Sequence, residues 1–379
     1  MQLVNLSYEE LLDSPRAWKL RSFELQKTNL VVGKNAVGKT RVLNVINGLA
    51  RIILNGDAAT AGTFDVQFSH DDEIWTYYLE IHQSTVIQEI LSTKEKVFLD
   101  RKEGLLWSDS DGKNTKFKLL DKQVALNAKL DLIQTPFLEP FHQWAKSVYY
   151  FHFSSMLGKN TLSLPVQGDS EREIEVDFKD ENQTTKIFEY AVKKYGEEFK
   201  KAILSDMHAI GYEVTDIGID QVPTLRTSDP RITLLHGIFL KESDIEHYVD
   251  QYSMSTGMFR ALAIIIHLNI GIFSKHTELI LLDDIGEGLD FERSTALVKL
   301  LVSKIEQTNM QIVMTSNDRF IMNSVDVDYW TVLDRSGCDV RAINRFNNSK
   351  AFEDFKFSGL QNFNFFALDL AKETEETDD

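Results

Sequence analysis

The sequence predicts an α/β fold: a mixed central sheet carrying a phosphate-binding loop, with an antiparallel β region and a helical lobe inserted before the C-terminal half. Three observations carry the expectation. Residues 33–40 read GKNAVGKT and complete the pattern G-x-x-x-x-G-K-[ST]. They lie between a short apolar run, Leu30-Val31-Val32, and a stretch with Val42, Leu43, Val45, Ile46 and Leu49 at helical spacing. Downstream, Leu279-Ile280-Leu281-Leu282 runs into Asp283 and Asp284, and four consecutive apolar residues suit a strand buried on both faces. Strands then alternate with helices, which implies a sheet covered on its faces.

The first fifty residues give two or three short strands, the loop and its helix. Gly33 and Gly38 let backbone N–H groups turn inward, so that Lys34, Asn35, Ala36 and Val37 wrap a phosphate. Lys39 can reach the β- and γ-phosphates, the Thr40 hydroxyl can ligate Mg²⁺, and Arg41 follows in the first helical turn. The helix N-terminus adds partial positive charge beneath the phosphates.

From Phe64 the pattern is β. Phe64, Val66 and Phe68 alternate with polar residues, as do Trp75, Tyr77, Leu79 and Ile81, with Asp71-Asp72 as the turn between them. Residues 86–91 and 97–99 continue the pattern, and Ser110-Asp111-Gly112 is a turn signal. From about residue 121 it becomes helical, and Ile187, Tyr190, Ala191, Tyr195, Phe199 and Ile203 mark one amphipathic helix. The polar stretch 158–185 is expected as a mobile loop. After Gly257 come a long apolar helix, the strand 279–283, a helix over 291–307, and strands at 311–315, 329–333 and 340–343. The expected divisions are 1–120 and 251–366 for the two halves of the core, 121–250 for the lobe, and 367–379 for an acidic, disordered tail.

Composition narrows the reading. Of 379 residues, 43% are hydrophobic and 26% charged, ordinary for a soluble globular protein. The lone Cys338 cannot make an internal disulfide or, alone, a zinc site. No basic patch followed by an apolar stretch opens the chain, so no secretory signal is expected and a cytoplasmic location is. The longest apolar run, about 261–273, is broken by His267 and Asn269 and reads as a buried helix, not a membrane span. A formal net charge of −17 repels polyanions, so bulk charge gives no indication of nucleic acid as a partner. Lys193, Lys194, Lys200 and Lys201 are interleaved with Glu197 and Glu198 and read as a solvated helix face.

Further pieces fall into one order. A strand-end acid such as Asp283 can hold Mg²⁺ through water, and the next, Asp284, can orient or deprotonate an attacking water. Ser255-Thr256-Gly257 opens the long apolar helix, where a hydroxyl and free N–H groups suit a phosphate. Ile285 to Asp290 read IGEGLD, and Asn317 follows the strand at 311–315. Together these pieces resemble the Walker A, signature, Walker B, D-loop and switch elements of ABC-type ATPase heads of the RecF, SMC and OLD group, often described generically as AAA-family ATPases. The resemblance covers about 1–50 and 250–345. The chain is also similar to the ATPase subunits of anti-phage systems such as Septu, PARIS and Gabija, and residues 355–363, FKFSGLQNF, look like a tail seen in such proteins.

The resemblance implies ATP and Mg²⁺ as ligands, with Lys39, Asp284 and Asn317 as catalytic groups and Thr40 and Asp283 at the metal. It also implies a pocket completed in trans: Ser255 and Gly257 of a second copy would cap the γ-phosphate, with Asp290 crossing the interface of a homodimer or higher oligomer. Three departures stand out. Asp284 occupies the place of the usual catalytic Glu, one methylene shorter. Misplacing a base by about 1 Å can cost on the order of a hundredfold, so slow hydrolysis is expected. Asn317 replaces the switch histidine and cannot carry an imidazole's charge. Heptads for a coiled-coil arm are absent, and residues 318–379 are too few for a fused nuclease, so effector chemistry is expected from another chain. The Q-loop glutamine has no clear position. The functional expectation is an ATPase that regulates a separately encoded effector, nuclease or toxin, in anti-phage defence. The alternative is a RecF- or SMC-like head that clamps nucleic acid, and a transporter ATPase fits less well.

Overall fold

In the computed structural model, residues 1–12, 14–58, 61–163, 176–222, 235–275 and 278–372 are described. The chain opens with β1 (Gln2–Glu10), β2 (Trp18–Glu24) and β3 (Thr28–Val32), then α1 (Lys39–Asn55). A meander follows: β4 (Gly62–His70), β5 (Glu73–His82), β6 (Thr85–Thr93), β7 (Val97–Asp100), β8 (Leu105–Ser108) and β9 (Lys113–Lys116). Next come α2 (Ala125–Ala128), α3 (Glu139–Lys146), β10 (Val148–His152), α4 (Thr184–Tyr195), α5 (Glu197–Ala209), β11 (Val214–Gln221), β12 (His236–Glu242) and β13 (Val249–Asp250). The C-terminal half holds α6 (Thr256–Ser274), β14 (Leu279–Asp283), α7 (Phe291–Glu306), β15 (Gln311–Thr315), α8 (Arg319–Ser324), β16 (Trp330–Ser336), β17 (Asp339–Ile343), α9 (Ser349–Phe357) and α10 (Asn362–Ala367).

Among the described residues, fourteen strands form one sheet in the order β10-β14-β15-β3-β16-β17-β2-β1-β4-β5-β6-β7-β8-β9. The first five are mutually parallel, and every residue of β3, β14 and β15 is buried, as the apolar runs 30–32, 279–282 and 312–314 within them predict. From β2 onward the order is antiparallel. There the period-two alternation of β4 and β5 puts Phe64, Val66, Phe68, Trp75, Tyr77 and Leu79 inward. Asp71 and Asp72 make the β4–β5 turn with φ of 49° and 62°, the left-handed pair that matches strand twist.

The sheet separates two cores. Leu30, Val32, Ile280 and Leu282 pack toward α4, α5, α6 and α7, while Val31, Leu279 and Leu281 pack toward α1 and α3. Each such fully buried aliphatic side chain contributes about 1.5–3 kcal/mol. A polar cluster crosses the first core: the Asp206 Oδ2 accepts from Asn269 Nδ2 and Lys304 Nζ, both at 2.6 Å, which ties α5, α6 and α7.

Three differences from the sequence reading are physical. The single helix expected across Ile187 to Ile203 is two, because Gly196, with φ of 67°, breaks it between α4 and α5. The lobe 121–250 is not purely helical: it returns β10 to the main sheet and forms the small sheet β11-β12-β13. The C-terminal region carries α9 and α10. The mobile loop expected over 158–185 and the disordered tail lie partly outside the described residues, though Glu181–Gln183 is a short 3₁₀ turn. Among the described residues one helix, Thr256–Ser274, is long and apolar enough to cross a membrane, and 78% of its apolar window is buried inside the fold.

Candidate nucleotide site

The parallel strands end together, and the loops beyond them form the site. Between β3 and α1, Gly38 has φ of 119°, and a Cβ there would meet the Trp18 indole at 3.2 Å, so only glycine fits. A Cβ on Gly33 would lie 2.7 Å from Val37. Lys39 is 7% exposed, and its Nζ donates to the Gly33 carbonyl at 2.9 Å and reaches that of Lys34 at 3.5 Å. Burial lowers its pKa, opposed by the charges of Asp284 and Asp283. Arg41 pairs with Glu10 and stacks 4.7 Å above the Trp18 ring.

Asp283, at the end of β14, accepts on Oδ1 from the hydroxyls of Thr40 at 3.1 Å and Thr315 at 2.7 Å. These hard oxygen donors fit Mg²⁺, which takes one or two protein ligands and completes its shell with phosphate and water. No cluster of three or more His, Cys, Asp or Glu suited to a metal occurs among the described residues. Asp284 is held in the left-handed region, φ 52°, by its N–H donating to Thr315 Oγ1 at 2.8 Å. A non-glycine residue kept there marks a strained, over-determined position. Burial, then the adjacent Asp283, raises its carboxyl pKa, and Lys39 opposes the shift. A cavity of about 490 Å³ opens beside it, lined by Asp284, Glu287, Gly288, Leu289, Ser316 and Asn317. The Asn317 amide donates to Asn35 Oδ1 at 3.1 Å, so the switch position touches the phosphate-binding loop.

Residues 33–41, Asp283, Asp284 and Asn317 thus converge. Ser255, Gly257 and Asp290 form a second group. Ser255 caps α6 by accepting from the Met258 N–H at 3.1 Å, and Asp290 caps α7, where the Arg293 N–H at 2.9 Å holds its carboxyl below the usual range. A Cβ on Gly257 would lie 2.6 Å from the Gly288 carbonyl, so α6 starts directly against the loop after Asp284. No hydrogen bond or ion pair among the described residues joins this group to residues 33–41.

Sequence reasoning missed three participants. Thr315 donates to the Asp283 carboxylate and accepts from the Asp284 backbone N–H. Arg260, in the first turns of α6, donates to the carbonyls of Ser154, Ser155 (2.7 Å) and Glu287 (3.1 Å), joining α6 to two loops. The end of β10 lies beside Asp283, with His152 in register with it. The apolar run Val148 to Phe151 was the available signal, obscured by flanking helices.

The fold is that of a P-loop ATPase head of the ABC/SMC type. The chain belongs to the family described as "AAA domain, putative AbiEii toxin, Type IV TA system", which it matches over residues 29–323. Among solved structures it is similar to an SMC head bound to the C-terminal winged-helix domain of ScpA, with 10% identity, a TM-score of 0.54, and 90% of this chain and 97% of that one covered. A second is an SMC head with an extended coiled coil bound to the C-terminal domain of ScpA, from Pyrococcus furiosus, with 10% identity, a TM-score of 0.50, and 94% and 99% covered. At these identities the likeness is one of fold. No curated protein matches the chain.

Proposed function

We propose that the chain binds and slowly hydrolyses MgATP in a pocket shared by two copies, and that nucleotide state controls a separately encoded effector in anti-phage defence. The observation that carries the ATP reading is the convergence of Lys39, Thr40, Asp283 and Asp284 at one set of strand ends. Gly33 to Arg41 wrap the phosphates, and Lys39 exchanges the loop carbonyls for phosphate oxygens. Thr40 and Asp283 would hold Mg²⁺, which when bound would supply charge neutralisation at the phosphates. Asp284 takes a proton from water as its oxygen bonds the γ-phosphorus. The bond to the bridging oxygen breaks and its electron pair leaves on ADP. Ser255, Gly257 and Asp290, set apart from the chain's own phosphate loop, serve a second copy's pocket.

The defence role and a cytoplasmic location rest on family membership and on the anti-phage resemblance. That heads of this fold occur bound to ScpA supports a separate protein partner. The same likeness favours a second reading, an SMC-like head that clamps nucleic acid. Size measurement with and without MgATP tests the shared pocket: association that depends on ATP and vanishes in Lys39→Ala is expected, and a monomer in both states refutes it. Co-purification from the native operon separates the readings, an effector supporting the first and nucleic acid the second.

A further inference from the structure

The far end of the meander is basic, in a chain of net charge −17. Residues 101–104 and 113–122 hold six Lys or Arg against only Glu103 and Asp121. Lys102, Lys113, Lys118 and Lys122 are exposed and make no ion pair among the described residues. The charges border a built groove. A cavity of about 600 Å³ opens between the β7–β8 turn and the chain after β9, lined by Val86, Lys102, Glu103, Lys116, Phe117 and Lys118. Its walls are tied together. The Phe117 N–H donates to the Gly104 carbonyl at 3.0 Å, Lys116 Nζ to the Glu103 carbonyl at 3.0 Å, and the Val86 N–H to the Asp121 carbonyl at 2.8 Å. Behind them Arg101, its side chain 12% exposed, donates to the carbonyls of Gln123 at 2.6 Å and Leu120 at 3.0 Å and lies 3.7 Å from the buried Glu89. Arg101 therefore holds the frame, and the lysines are left to the groove.

Beyond β9 exposure alternates: Lys116, Lys118 and Leu120 are exposed, while Phe117 and Leu119 are half-buried. A period of two belongs to an extended ribbon, whose alternate residues stand about 7 Å apart. Lys116 and Lys118 are thus two rungs at the spacing of alternate side chains in any extended peptide, with apolar surface between them. Two exposed aliphatic residues border the same segment: Leu120, 71% exposed, precedes Asp121, and Ile87, 49% exposed, follows Val86.

We propose that this groove docks an extended acidic segment of a separate protein. Carboxylates at alternate positions of that segment pair with Lys116 and Lys118, Lys102 meets a further one, and apolar side chains between them rest on Phe117 and Leu119. The charge balance selects a peptide over a polynucleotide. A net charge of −17 repels a long polyanion, whereas a few carboxylates sense only the charges within a screening length of about 8 Å. The strands β4 to β9 contribute none of the residues at the nucleotide site, so the proposal does not draw on the ATP reading.

The test is fluorescence anisotropy of the full chain with a labelled short peptide of alternating Glu and Val. Wild type should bind it, more weakly at high salt. Lys102→Glu, Lys116→Glu and Lys118→Glu combined should weaken binding by about thirtyfold. If that variant does not fold, Lys118→Glu alone should lose about fivefold. A charge-matched control, Lys193→Glu, Lys200→Glu and Lys201→Glu combined, should stay within about twofold. A peptide of the same composition with every Glu placed before every Val should bind about fivefold more weakly, because only alternation meets both rungs. Lys39→Ala should bind the peptide as wild type does, so a failure of the ATP reading leaves this result standing. No binding by wild type, an equal loss in the control, or equal affinity for the blocked peptide overturns the proposal. So does a single-stranded oligonucleotide that displaces the peptide and depends on the same lysines, which would make the groove a nucleic-acid site. A large gain in peptide affinity on deleting residues 373–379 overturns it as well, because the chain's own acidic end would then be the occupant.

Discussion

Glu278, the residue before β14, is 5% exposed at the end of the strand opposite the carboxylates, and burial pushes its carboxyl up from 4.5 to about 8. A Cβ on Gly271 would strike its Oε2 at 2.3 Å, so the carboxyl sits in a slot left by a helical glycine. The native state therefore keeps a proton that the unfolded chain releases above pH 4.5. The stability this proton confers is fully present below pH 4.5 and is lost as pH rises through about 8. The slope is about 1.4 kcal/mol per pH unit inside that window. Between pH 5.5 and 8 the wild type should lose about 3 kcal/mol that Glu278→Gln, a permanent stand-in for the protonated acid, does not lose. For a chain of this size that is about 4 °C in thermal midpoint. Paired melts at the two pH values check it. His267, buried and held down to about 3, titrates in both proteins and cancels in the difference. A gap between variant and wild type that does not widen from pH 5.5 to 8 refutes the buried-acid reasoning.

Other expectations follow from the site and its supports. Asp284→Asn should keep MgATP binding and lower turnover by about a hundredfold, so unchanged phosphate release in a steady-state assay removes Asp284 as the base. Gly257→Ala would place a Cβ 2.6 Å from the Gly288 carbonyl. It should suppress ATP-dependent association while leaving single-copy nucleotide affinity within about twofold, read by sedimentation and titration. Asp206→Ala leaves Lys304 without its carboxylate in a largely buried place and should cost about 3–5 kcal/mol in denaturant unfolding. A loss no larger than a surface change would show the cluster to be solvated.

The core strands and the phosphate loop were legible because their signals are local. The loop motif adjoins its strand and helix, and the apolar run of β14 leads straight into Asp283. The meander was legible by alternation, and the Asp71-Asp72 turn held because both residues adopt the left-handed conformation. What stayed hidden depends on distant pairing. β10 is five residues long and becomes a strand by lying against β14. Thr315 gains meaning only beside Asp283, and Arg260 only through carbonyls supplied by two other segments. The break at Gly196 was visible in the sequence but overridden by apolar spacing that continues across it.

The contact of Gly257 with Gly288, fastened by Arg260, makes the helix that would meet a neighbour and the turn that bears Asp284 parts of one stiff lever. Pressure applied at either end must be felt at the other. If two copies share the pocket as proposed, occupation of the cap at the start of α6 would be transmitted to Asp284 through a few backbone carbonyls.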